Sequence, residues 1–139
     1  MVTNNKAEND IVRNVRDSFS WATTNSMVSR RIYNELLLLQ NNLKYLNRIM
    51  NIESRDEWYI RRVASDCYSL ITKPFSSEKN KDFFEGITII RNQIIEMIKV
   101  TIADTRAIHT LTFLDLVESN KVEIIIDYIE EILECLERI

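Results

Sequence analysis

The chain predicts an all-α fold: a bundle of about seven helices around a central apolar helix, built as one domain over residues 1–139. Three observations carry this. Helix-breaking residues are almost absent, with one glycine, Gly86, and one proline, Pro74, in 139 residues. Apolar side chains recur at helical spacing along nearly the whole length. One stretch, from about Gly86 to Ala103, is apolar over so much of its circumference that it needs neighbours on several sides.

Taken in order, Glu8 to Thr23 places Ile11, Val12, Val15, Phe19 and Ala22 on one face, with Asn9 or Asp10 as a cap. The cluster TTNS separates it from a long helix, roughly Met27 to Met50. That helix carries Val28, Ile32, Leu36, Leu39, Leu43, Leu46 and Met50. From Ile32 onward the spacing alternates four and three, the pattern of a heptad seam. Its expected use is a core-facing stripe, and a homodimer seam is the alternative. NIESRDE then interrupts. Ser54 with Glu57 three residues later forms a capping-box pattern for a third helix bearing Trp58, Ile60, Val63, Ala64, Cys67, Leu70 and Ile71.

TKPFSSEKNK is the one clear loop, marked by Pro74 and the polar residues after it. Asp82 to Phe84 reads as a short turn of helix ahead of Gly86. From Gly86, Ile87, Ile90, Ile94, Ile98 and Ile102 form a stripe that Ile89, Ile95 and Met97 broaden. A strand over GITII competes locally because isoleucine is an indifferent helix former, but the length of the stripe favours helix. Asp104 to Glu118 continues as helix, ESNK breaks it, and Val122 to Leu136 marks a final amphipathic helix with a strongly acidic outer face.

The formal charge of −3 argues against a nucleic-acid partner, which usually shows a basic excess. No apolar run reaches the roughly 20 residues of a membrane span, so no integral anchor is expected. Cys67 and Cys135 match no metal spacing and read as buried free thiols of a reducing compartment. The single histidine, His109, cannot build a two-histidine metal site. No glycine-rich loop exists to wrap a phosphate, and no serine sits in a glycine-flanked elbow. An enzyme is not expected, nor a cofactor.

DFFEGITIIR resembles the first homology motif of the Bcl-2 family of apoptosis regulators, with Phe83, Glu85, Gly86, Ile87, Thr88 and Arg91 in matching order. Ile89 stands at the family's Trp and Ile90 at its second Gly. ENDIVRNVRDSFSW is similar to the family's first helix, and LNRIMNIE to a degraded internal BH3 motif. YIRRVASDCYSLITKPF is similar to the stretch leading into the family's groove. ESNKVEIIIDYI is similar to its second homology motif, with Asn120 and Lys121 at the double glycine.

The resemblance implies a Bcl-2-like bundle whose groove takes up the BH3 helix of a pro-apoptotic partner. The groove residues it implies are Leu43, Leu46, Tyr59, Val63, Phe83, Phe84, Gly86, Ile87, Ile90 and Arg91, with Arg91 pairing an aspartate of the incoming helix. It further implies an anti-apoptotic protein of the kind carried by large DNA viruses, cytoplasmic in the host cell or peripheral at mitochondria. Ile90 in place of glycine implies a narrower groove. The rival expectation is a Bcl-2-fold immunomodulator that binds a host innate-signalling adaptor through another surface.

Overall fold

The computed structural model describes residues 26–73, 77–102 and 112–137. The helix expected over Glu8–Thr23, Pro74, His109 and most of the stretch from Asp104 lie outside the described residues. Within them every regular element is α-helix: α1 (Ser26–Met50), α2 (Glu57–Thr72), α3 (Lys81–Thr101), α4 (Thr112–Glu118) and α5 (Val122–Glu137).

α1 follows its apolar spacing. Val28, Ile32, Leu36, Leu39, Leu43, Leu46 and Met50 are all buried. The seam weighed as a dimer contact is thus covered within the chain, chiefly by α5 and α2. A polar side chain lies among these contacts: Gln40 is buried and donates from Nε2 to Glu130 Oε1 at 2.8 Å and to the Ile126 carbonyl at 3.4 Å. At one end of the same contact, Tyr33 donates its hydroxyl to Glu137 at 2.7 Å.

The start of α2 differs from the capping box expected at Ser54. Asp56 is the N-cap and its carboxylate accepts from the Tyr59 amide at 3.2 Å. Asp at this position satisfies one of the first-turn amides that no intrahelical carbonyl can reach. Residues 51–54 instead form the turn out of α1, where Arg55 donates to the Met50 carbonyl at 3.2 Å and pairs with Glu57.

α3 also begins earlier than expected. Asn80 caps it, accepting from the Phe83 amide at 3.1 Å, so the turn at Asp82–Phe84 and the run from Gly86 are one helix. Gly86 sits inside this helix, buried and without positive φ. Its place follows from the stripe: Phe83, Gly86, Ile87, Ile90, Ile94, Met97 and Ile98 are the buried residues of α3. A glycine there costs roughly 1 kcal/mol of helix propensity and leaves no side chain to hold a neighbour away. α3 packs against each of the other four described helices, as its apolar circumference required.

α4 ends on Asn120 at φ 58°, in the left-handed region. The Lys121 amide bonds the Leu116 carbonyl at 2.8 Å and the Asn120 amide bonds the Val117 carbonyl at 3.1 Å. These two bonds are the Schellman arrangement, which normally selects glycine and tolerates asparagine. The turn then delivers Lys121, whose ammonium bonds the Thr101 carbonyl at 3.0 Å, a cation at the negative end of α3. Cys67 is buried, as expected; Cys135 is half-buried, and both are free thiols.

Candidate functional site

Where the last turn of α2 meets the outer flank of α3, the surface is indented by a pocket of about 330 Å³. Ile71, Thr72 and Lys73 form one wall. Phe84, Thr88, Arg91, Asn92 and Ile95 form the other. The α3 residues are spaced at i, i+4, i+7, i+8 and i+11, so they share one face, adjacent to the buried stripe. The volume is at the low end for ligand sites and suits a few inserted side chains, not a whole helix.

Arg91 is, with Lys73, one of the two charged residues that line the pocket. It is half-buried, and its Nη1 donates to the Lys73 carbonyl at 2.8 Å. Burial pulls the guanidinium below its ordinary value, and Glu35 on α1 acts the other way. Arginine nevertheless stays protonated at neutral pH, so the pocket keeps a fixed positive charge. Lys73 is the C-cap residue of α2, with its own amide bonded to Ser69, so the carbonyl that Arg91 grips belongs to a fixed helix end.

A second arginine braces the approach to α3. Arg31 of α1 makes a two-pronged contact with Glu78, at 2.7 and 3.2 Å, while its guanidinium lies 3.9 Å from the centre of the Phe83 ring. Glu78 also accepts from the Asn80 amide at 2.9 Å. Arg31 and the Asn80 and Lys79 amides hold the Glu78 carboxyl below the usual carboxylate range. The residue that caps α3 is therefore itself held to α1.

Of the ten residues implied as groove-lining, two line this pocket: Phe84 and Arg91. Leu43, Leu46, Val63, Phe83, Ile87 and Ile90 are 0–7% exposed and belong to the core, and Gly86 is buried beside them. Tyr59 is elsewhere, on the first turn of α2, with its hydroxyl 2.7 Å from that of Tyr45. Ile71, Thr72, Lys73, Thr88, Asn92 and Ile95 were not among the implied groove residues. The α3 members carried a signal, since they follow Phe84 and Arg91 at helical spacing; the α2 members lay in the stretch similar to the family's lead into its groove, without being named as lining.

Among the described residues no group of three or more His, Cys, Asp or Glu side chains is placed to hold a metal ion. No described helix is long and apolar enough to cross a membrane. In comparisons with known proteins, no family model, no curated protein and no solved structure matches the chain.

Proposed function

We propose that this chain is an anti-apoptotic, Bcl-2-like protein of viral type, a binding module and not an enzyme, that sequesters BH3 helices of pro-apoptotic host proteins. The observation that carries this reading is Arg91, a fixed cation beside an apolar pocket on a helix that every other described helix packs against. An amphipathic helix presents apolar anchors at i, i+3, i+4 and i+7, and a pocket of this size takes one or two of them. Its acidic residue then competes with the Lys73 carbonyl for the Arg91 guanidinium. The wider groove implied by the resemblance needs Leu43, Leu46, Val63, Phe83, Ile87 and Ile90 to open out of the core, so binding is coupled to separation of α2 from α3.

Isothermal titration of the full chain with a panel of BH3 peptides tests this. Arg91→Ala is expected to weaken binding roughly tenfold, about 1.4 kcal/mol. Ile95→Glu, which places a charge in the pocket at a half-buried position packed against the core, is expected to weaken it at least as much, with circular dichroism checking that the helices persist. Gly86→Leu weakens it through the packing of α3. Peptide binding that ignores Arg91→Ala and Ile95→Glu alike sinks the assignment.

The burial of those six residues favours a second reading. A groove that stays shut leaves a Bcl-2-fold immunomodulator that engages an innate-signalling adaptor through another surface. Failure of every BH3 peptide to bind the folded protein selects this reading over the first.

A further inference from the structure

A partner helix enters only after α2 and α3 part, because six of the residues implied for its groove are core. The pocket between the two helices is open as the protein stands, and its size selects a smaller occupant. A volume of about 330 Å³ equals roughly eleven water volumes, room for a molecule of about ten non-hydrogen atoms. The α3 wall is apolar at its ends and polar between them: Phe84 and Ile95 flank Thr88, Arg91 and Asn92. Ile71 adds an apolar side chain from the α2 wall. Neither wall carries an acid, and the charged lining residues are Arg91 and Lys73. Glu35 on α1 acts on Arg91 from outside the lining, which leaves a surplus of one positive charge.

A surplus of a single charge suits a monoanion, and a planar guanidinium matches the two oxygens of a carboxylate. Arg91 is braced on the Lys73 carbonyl, so its plane is set before a ligand arrives. It is half-buried, so salt screens a pairing there less than at an exposed arginine. From Arg91, Phe84 is two turns of α3 away, a distance that an extended chain of eight carbons, about 10 Å long, spans. We propose that the pocket binds a small monocarboxylate with an unbranched apolar tail of about eight carbons, and that the bound molecule keeps α2 and α3 together and so shuts out a partner helix. A ligand that touches both walls at once binds the closed form better than the parted one, and shifts the population towards closed. The closing role rests on the helix-binding reading, whereas the carboxylate site stands on the pocket alone.

Octanoate is the probe, titrated into the full chain carrying isotope-labelled isoleucine methyl groups. NMR is expected to show saturable shifts of Ile71 and Ile95 with a Kd of about 0.1–1 mM. Acetate, which lacks the tail, and octanol, which lacks the charge, are each expected to bind at least about tenfold more weakly. Arg91→Met is expected to lose about tenfold or more, and Phe84→Ser, at an exposed position, several-fold. Circular dichroism checks that each variant keeps its helices. Octanoate is also expected to slow amide exchange in the last turn of α2. Absence of saturable shifts at Ile71 and Ile95 overturns the proposal. So do octanol binding as tightly as octanoate, shifts centred on the exposed Ile52 or Ile124, and an affinity that neither variant changes. Unchanged exchange in α2, or a peptide affinity that saturating octanoate leaves as it was, overturns the closing role. BH3 peptides that bind while octanoate does not sink this inference alone, and octanoate that binds where no peptide does removes the helix-binding reading and keeps the carboxylate site.

Discussion

Arg91 and Lys73 meet across the two walls of the pocket, guanidinium Nη1 to backbone carbonyl at 2.8 Å, and this bond ties the flank of α3 to the end of α2. It is a hydrogen bond from a charged donor, the stronger kind. Arg91→Met keeps much of the stem and loses the donor. The expected cost is about 1–2 kcal/mol in urea unfolding. Arg91→Lys is expected to recover part of it, because an ammonium donates but lacks the planar fork.

Glu78 gives the chain an acid-sensitive contact. Arg31 holds its carboxyl below the ordinary value near 4.5, so the unfolded state binds the proton more readily. Stability from this contact is therefore fully present above that value and is lost as pH falls through the lower folded one. Melting curves of the wild type and Glu78→Gln from about pH 7 to about pH 3 are expected to converge at the acid end. A gap that stays constant over that range would remove the Arg31–Glu78 pair from the account.

Asn120 occupies a backbone position that most residues resist. Asn120→Gly is expected to be neutral or slightly stabilising, because glycine reaches positive φ without a Cβ clash. Asn120→Val is expected to cost about 1–2 kcal/mol and lower the melting temperature by several degrees. The loss is greater if Lys121 is displaced from the end of α3.

Cys67 is shielded twice over, by exclusion of reagent and by its protonation. Burial pushes its thiol up to about 12, with Asp66 adding to the effect. Cys135 is half-buried on α5. Alkylation of the native protein near neutral pH, read by peptide mass, is expected to label Cys135 first. Cys67 is expected to react only once denaturant is added.

The helices were legible because a stripe such as Ile32 to Met50 repeats at one period for five turns, and burial follows that period. The start of α3 was not. Gly86 looks like a boundary because glycine usually marks one, yet here the cap at Asn80 and the burial of Phe83 and Ile87 around it outweigh its propensity. Ser54 and Asp56 are both sound capping residues two positions apart, and only the geometry of the turn chose Asp56. The site was half legible. Phe84 and Arg91 came from the resemblance, but which end of α2 would face them depends on how two helices cross, and a single chain's periodicity holds no information on that. The same stripe logic that found the core placed six groove candidates inside it.

Gln40 has one more consequence. The leucines and isoleucines between α1 and α5 are close in size, and a ladder of similar rungs would fit almost as well after sliding by one turn. Displacement by about 5 Å would strand a buried amide away from Glu130 and Ile126, at a penalty of about 1–3 kcal/mol. A single glutamine thus acts as the indexing pin that picks one alignment out of several greasy near-equivalents.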